Sequence, residues 1–277
     1  MQKERAINLF AAAIYCLMAL CFRTPVEAKE KEDVSNRYDF TPPLTRVDVR
    51  LQYQNSPPSD NDNYYITTLR VDKPIRVSKA WSLVTRLDLP LLITDAMGTD
   101  DRNGDYKFGL GDILVQGLFI NKLTQRFAWG FGTQLIFPTA TKEQMGDGKY
   151  EVLPTAVFRV TTPEITKGSW VALLVRYGLS FAGDDDRADI KEIQFAPTYN
   201  LSLPHSWFVA LYPSSDIRYN LGDQKAGDTG RWFVPLDLMV GKMLSQSIIG
   251  SVEVGFPIIN EYPLYDFKIE GRLGFFF

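Results

Sequence analysis

Cysteine is nearly absent from this 277-residue chain: Cys16 and Cys21 are the only two, and both lie near the N-terminus. With none in the remaining sequence, a small disulfide-stapled secreted fold is excluded. Histidine is scarcer still, with His205 alone. A serine nucleophile needs a neighbouring base, usually histidine, so serine hydrolase chemistry has one candidate base and no choice of position. There is no Cys/His metal-ligand cluster, no phosphate-binding glycine loop and no dinucleotide fingerprint. Charge of one sign is not in excess either, at 30 basic against 33 acidic residues, which gives no electrostatic case for nucleic-acid binding. Long hydrophobic runs are confined to one, Ala6 to Phe22, a little short of the roughly 20 residues of a membrane-spanning helix.

That run follows Lys3 and Arg5 and precedes Val26-Glu27-Ala28, whose spacing predicts a secretory signal peptide over residues 1–28. Met18-Ala19-Leu20 before Cys21 has a bulky residue where a lipoprotein signal needs a small one. Removing residues 1–28 takes away Lys3, Arg5, Arg23, Glu4 and Glu27, leaving 27 basic and 31 acidic residues, a formal charge of −4. Residues 29–43 read as a polar periplasmic leader, and 44–277 as the folded unit.

What is present is alternation. In Tyr265–Phe277, residues Phe267, Ile269, Leu273, Phe275 and Phe277 share one face of an extended strand, and Asp266, Lys268, Glu270 and Arg272 the other. Ending a chain on exposed aromatics suits the closing strand of an outer-membrane barrel, with one face to lipid and one to a polar lumen. The same pattern predicts strands over Leu44–Tyr53, Tyr64–Ile75, Trp81–Leu91, Gly109–Ile120, Phe127–Phe137, Tyr150–Val160, Ser169–Phe181, Ile190–Leu201, Trp207–Tyr219, Arg231–Lys242 and Ile248–Phe256. The expected fold is therefore all-β: a transmembrane antiparallel up-and-down β-barrel of about twelve strands, within about ten to fourteen, each near the 9–11 residues that cross a bilayer. A mean hydropathy of −0.12 agrees, because lipid-facing and lumen-facing residues cancel.

Connections are expected to alternate short and long in every hairpin, placing short turns in the periplasm and Asp/Gly-rich loops outside. Trp81, Trp129, Trp170 and Trp207 follow short turns and are expected to form a girdle at the periplasmic interface, with Trp232 near the outer one. Pro154, Pro197, Pro213 and Pro235 fall inside predicted strands and lack the N–H of a closed sheet. They mark expected bulges or places where the wall loosens toward the outer rim.

The inward register collects Arg46, Asp48, Arg50, Arg70, Asp72, Arg86, Asp88, Asp112, Arg159, Arg176, Asp216, Arg218, Asp237, Glu253, Lys268, Glu270 and Arg272, with Glu151 and Glu192. The two signs nearly balance, so ion-pair ladders are expected, for instance between Arg86 and Asp88, around a narrow polar channel or a filled interior. A strongly basic lumen would argue for anionic oligosaccharides; a balanced one does not. His205 falls in a short turn at the periplasmic rim, so no catalytic residue is assigned and no enzyme is expected. Asp184-Asp185-Asp186 with Asp189, and the other loop aspartates, read as solvated loops; their spacing is not that of an EF-hand, and no metal or cofactor is expected.

Gly109-Leu-Gly-Asp112, Phe137-Pro-Thr-Ala-Thr141, Gly146-Asp-Gly-Lys149, Gly168-Ser-Trp170, Ser180-Phe-Ala-Gly183, Pro197-Thr-Tyr199 and Val234-Pro-Leu236 give a resemblance spanning most of the chain. It resembles the outer-membrane barrel proteins grouped with the phenol meta-degradation (MetA) pathway. The resemblance implies a transporter or channel for small, hydrophobic or aromatic solutes and assigns no binding residue. The alternative is a plugged structural or lipid-organising barrel. Expected partners are outer-membrane lipid, an unidentified small solute, and the barrel assembly machinery acting on the strand that ends at Phe277.

Overall fold

In a computed structural model, residues 44–55, 62–98, 103–214, 216–224 and 228–277 are described. The expected signal peptide and leader (1–43), Asp100 and Asp101 lie outside them. Twelve antiparallel strands run β1 Arg46–Asn55, β2 Asn63–Arg76, β3 Trp81–Thr94, β4 in two pieces (Lys107–Leu110 and Ile113–Lys122), β5 Phe127–Phe137, β6 Lys149–Thr161, β7 Trp170–Gly183, β8 Lys191–Ser202, β9 in two pieces (Trp207–Leu211 and Ile217–Asn220), β10 Trp232–Met243, β11 Ile248–Asn260 and β12 Phe267–Phe276. Each strand pairs with its sequence neighbours, and β1 pairs with both β2 and β12, from Arg46↔Phe276 to Asn55↔Phe267. The sheet is closed, so it has no edge to template aggregation and no unmatched backbone rim.

The outer surface follows from the alternation. Val115 and Phe119 on β4, Phe131 on β5, Phe158 on β6, Leu173 and Tyr177 on β7 and Phe267 on β12 are all exposed. Such a continuous apolar surface is the lipid-facing band of a transmembrane barrel. Among the described residues no helix is long and apolar enough to cross a membrane.

Tight turns are built by hydroxyls. Ser78 Oγ accepts from the N–H groups of Ala80 and Trp81 at 3.3 and 3.1 Å, and Thr124 Oγ1 from those of Arg126 and Phe127 at 3.1 and 2.9 Å. Connections 77–80, 123–126, 203–206 and 244–247 have four residues each, while 95–106, 138–148 and 221–231 at the other end have eleven or twelve. Sorting by length does not hold in every hairpin as expected: 162–169 on the turn end has eight residues and 261–266 on the loop end only six. The eight-residue turn is stiffened by its own backbone bonds, Thr162 N to Ser169 O and Ile165 N to Thr162 O.

Prolines interrupt the wall as a group. β9 breaks between Leu211 and Ile217, and its register against β8 moves from Leu211↔Tyr199 to Ile217↔Phe195. Pro197 on β8 and Pro235 on β10 flank that break, Pro213 lies in it, and Pro235 is the direct partner of Pro257 on β11, beside a register shift at Val234/Pro235. Four prolines thus share one height on four successive strands, a row with no N–H donors at those positions. The freed segment turns inward: Tyr212 adopts φ 49°, and Ser214 Oγ donates to Glu253 Oε1 at 2.8 Å. Pro154 behaves differently. It omits one rung between β6 and β7, and the register shift there lies at Tyr150/Glu151.

Candidate functional site

The closed wall encloses a cavity of about 630 Å³, within the size range of small-molecule sites. Inward-facing residues come from every strand, but they are not distributed evenly around it.

One wall, from β10 through β12 to β3, is charged. Register opposes Arg70 to Asp88 and Asp72 to Arg86, and both pairs form forked bonds: Arg70 Nε and Nη2 to Asp88 at 2.7 and 2.6 Å, Arg86 Nε and Nη2 to Asp72 at 2.7 and 3.1 Å. The expected pairing of Arg86 with Asp88 along one strand is therefore corrected, because cross-strand positions face each other more directly than residues two apart. Arg46 adds contacts to Asp48 and Asp72. Arg50 holds Glu270 through Nε and Nη2 at 2.9 and 2.6 Å, and Arg272 Nη2 reaches the same carboxylate at 2.8 Å. Lys268 closes the chain by contacting Glu253 at 2.8 Å, Asp237 at 3.4 Å, and Asp216 in the inturned β9 segment. Asp216, Asp237 and Glu253 bring carboxylate oxygens within 4.8 Å of one another. The Lys268 ammonium contacts all three, which makes this an ion-paired node. Tyr265 reaches Asp216 and Asp237 at 3.2 and 3.3 Å, and burial, then the Asp216 charge, raises its phenol above its ordinary range, keeping it a donor.

The opposite wall, β4 to β8, is apolar toward the turn end, with an amide rung and Arg176 above the apolar part and Glu151 and Glu192 toward the loop end. Leu118, Ile120 and Val157 form a buried cluster with Val84 and Leu174 packed against it. Gly130 stands within this wall, where an added Cβ would lie 2.6 Å from Ile120 Cδ1, so only hydrogen fits. Above the cluster, Gln134 Nε2 donates to Gln116 Oε1 at 2.7 Å, and Arg176 Nη2 donates to the same oxygen at 3.3 Å. Register sets Arg176 opposite Thr155 and Gln194, one rung from the Val157–Leu174 pair. Arg86, Arg70 and Arg218, and the Asp88 carboxylate, all stand within electrostatic reach of Arg176.

Among the described residues, seven arginines (Arg46, Arg50, Arg70, Arg86, Arg176, Arg218 and Arg272) and Lys268 line the cavity, against five carboxylates, Asp72, Asp147, Glu151, Glu192 and Asp216. Asp48, Asp88, Asp237, Glu253 and Glu270 are each ion-paired with one of these cations and are not among the residues that line it. The expectation of a balanced lumen holds for the residue count but not for the surface a solute meets, which is cationic by eight to five.

Both ends are narrowed. At the turn end Phe208, Ala210, Met239, Met243, Ile249 and Phe276 pack into a second buried cluster inside the barrel. At the loop end the 138–148 segment folds over β4: Met145 is buried against Gly109, Asp112 accepts from Ala140 N at 3.0 Å and Asp147 N at 2.8 Å, and Arg187 donates to Glu143 O. Asp112 thus belongs to a loop anchor in the β4 interruption rather than to the solute-facing wall. Arg159 faces inward among Ala128 and Ala172 but does not border the cavity.

Of the four expected girdle tryptophans, Trp81 and Trp129 point outward at the turn end, with ring centroids 5.3 Å apart, and Trp207 does so under the Lys242 ammonium at 5.1 Å. Trp170 is a correction. It is 1% exposed and lines the cavity, because it shares strand parity with inward Ala172 and Arg176. Trp232 packs on Tyr219 at the loop end. Exposed His205 sits in a turn with φ 57°. The residues missed by sequence are Gln116, Gln134, Leu118, Ile120, Val157 and Leu174. Their strands are apolar on both faces, so only the shared parity with Gln116 and Arg176 signalled which side is inner.

The sequence profile of the family described as "Putative MetA-pathway of phenol degradation" matches residues 54–228, which is 175 of 277. The chain belongs to this family. Comparison with curated proteins gave no match. Among solved structures, the NanC porin aligns over 83% of this chain and 98% of its own, with 13% identity and a TM-score of 0.53. The KdgM porin in complex with disordered oligogalacturonate covers 84% of this chain and 99% of its own at 9% identity and TM-score 0.47. The translocator domain of autotransporter NalP from Neisseria meningitidis covers 87% and 90% at 11% identity and TM-score 0.46. At these identities the NanC likeness shows a shared barrel fold and nothing of the solute. Within this MetA-pathway family member, the profile span contains the apolar wall and Arg70 to Asp88, and ends before β10–β12 with Lys268, Glu270 and Arg272.

Proposed function

We propose that this protein is an outer-membrane channel or transporter for small solutes with a hydrophobic or aromatic body. The observation that carries the reading is the cavity of about 630 Å³ inside the closed sheet, whose charged wall faces an apolar patch. An apolar band around a closed sheet suits a bilayer, and the family description fits an aromatic solute. In this reading the short-turn end faces the periplasm, a cleaved N-terminal signal exports the chain, and the β12 terminus at Phe277 is what the assembly machinery engages. This reading gives His205 no role: it is exposed in a turn and is not among the residues that line the cavity.

A second reading, a plugged barrel that only organises the membrane, is favoured by the apolar cluster of Phe208, Met239 and Phe276 inside the turn end. Purified protein in planar bilayers separates the two. Discrete conductance steps, with matching arabinose entry into proteoliposomes, support the channel. Silent bilayers and impermeable liposomes, from protein that still shows heat-modifiable migration, support the plug.

A further inference from the structure

The cavity's two walls make different demands on a solute. Guanidiniums converge on it from strands on opposite sides: Arg70 and Arg86 from β2 and β3, Arg176 from β7 and Arg218 from β9. Like charges collected around one space repel, and an anion between them relieves that repulsion. The carboxylates paired with Arg70 and Arg50, Asp88 and Glu270, do not line the cavity, whereas Asp72 beside Arg86 and Glu192 beside Arg218 do; Arg176 has no carboxylate opposite it in register, where Thr155 and Gln194 stand. One rung below Arg176, Leu174 and Val157 face the same space as Leu118, a dry surface with room for a ring.

We propose that the cavity is a binding and selectivity site for small aromatic anions, the anionic group held by Arg176 with Arg70 and Arg86, and the ring seated on Leu118, Val157 and Leu174. This names the solute class of the channel reading and rests on it. Neutral phenols and saccharides use only one of the two walls. A ring bearing a carboxylate or sulfonate uses both, because the anion meets the cationic guanidinium surface of Arg176, Arg70 and Arg86 while the ring leaves water.

Reversal potentials in planar bilayers test this with three salts, each set against KCl: potassium benzenesulfonate, potassium methanesulfonate and benzyltrimethylammonium chloride. Benzenesulfonate is the larger anion and diffuses more slowly, so size alone makes it the less permeant. The site predicts the reverse order, and an anion preference over the aromatic cation of about tenfold, as a cationic constriction gives. Arg176→Gln lowers the anion preference several-fold and Arg176→Lys retains most of it. Leu174→Asn removes the preference for benzenesulfonate over methanesulfonate while keeping that for anions over cations. The proposal is overturned if methanesulfonate passes as readily as benzenesulfonate, or if the cation does; the channel reading survives both results. If no salt carries current, the channel reading falls, and equilibrium dialysis of benzenesulfonate against the folded detergent-solubilised barrel decides the site. Saturable binding weakened in Arg176→Gln and Leu174→Asn then supports it, and no binding refutes it. Heat-modifiable migration of each variant confirms that the barrel has formed.

Discussion

Glu270→Gln should be among the most damaging single changes in the barrel. The carboxylate is 3% exposed and receives the forked Arg50 guanidinium at 2.9 and 2.6 Å together with Arg272 Nη2 at 2.8 Å. A neutral amide keeps the shape but removes the negative charge between two guanidiniums, and its NH₂ turns a donor toward other donors. Breaking a buried pair by removing one partner costs about 3–5 kcal/mol. Because the Arg50 side chain is 14% exposed and borders a water-accessible cavity, some of that charge is solvated, and the lower end, about 3 kcal/mol, applies. With a guanidinium m-value of about 5 kcal/mol/M for a chain of this size, the midpoint of unfolding from lipid vesicles falls by roughly 0.6 M. Adding Arg50→Gln to Glu270→Gln removes one of the clashing charges, so the double variant is less destabilised than the sum of the two singles by about 1–2 kcal/mol. Tryptophan fluorescence on equilibrated vesicles measures all four states of the cycle. A Glu270→Gln midpoint within about 0.1 M of wild type, equivalent to less than about 0.5 kcal/mol, would falsify the structural role assigned to the charged wall.

Three further outcomes follow from individual contacts. Asp112→Ala removes both side-chain acceptors of the 138–148 segment, worth about 1.5–3 kcal/mol each where desolvated; limited proteolysis should cut near Lys142 in the variant and not in wild type. Lys149 holds Asp189 at 2.9 Å, and that hydrogen bond, with the lysine's charge, lowers the Asp189 carboxyl below its ordinary 3.8. The contact therefore contributes at any pH above the unfolded value and is lost as pH falls through the depressed folded one, so loop 184–190 should loosen only in that acidic window; gating noise in bilayers that rises there in wild type and equally in Asp189→Asn would refute the assignment. Phe276→Ala empties part of the apolar cluster at the turn end, costing about 3–5 kcal/mol, and under the channel reading it raises single-channel conductance rather than lowering it.

Alternation made the fold legible. Most strands from Arg46 to Phe276 carry a period-two pattern, and β1 pairs with β12 to close the twelve antiparallel strands into a barrel. Boundaries were less legible where one residue controls a break. Gly111-Asp112 divides β4 because Asp112 turns to the 138–148 loop, and the sequence shows no loss of alternation there. Trp170 was legible but misjudged: following a turn suggested an interfacial girdle, while its even spacing from Ala172 and Arg176 already put it inside. Parity is a constraint of backbone geometry, whereas interfacial preference is a modest side-chain free energy, so parity decides.

The lumen charge illustrates a harder limit. Counting inward acids and bases from sequence gives near neutrality, yet a solute does not sample a count; it samples what protrudes. An aspartate or glutamate on the inner face is short and stays close to the wall, while an arginine partner on the next strand is long enough to reach over it, as Arg70 does over Asp88 and Arg50 over Glu270. Pairing therefore does not erase the field inside the cavity: at Arg70–Asp88 and Arg50–Glu270 the cation alone lines it, while Asp72, Glu192 and Asp216 line it beside their partners. That asymmetry needs cross-strand register, which sequence leaves open, and the length difference between the two side-chain types, which it states plainly. A barrel with the same composition and lysines or arginines exchanged for the acids position by position would keep its ion pairs but reverse which partner stands on each strand. The longer side chain would still lean into the lumen, and the surface would remain cationic. Selectivity in such a pore follows from side-chain length as much as from net charge.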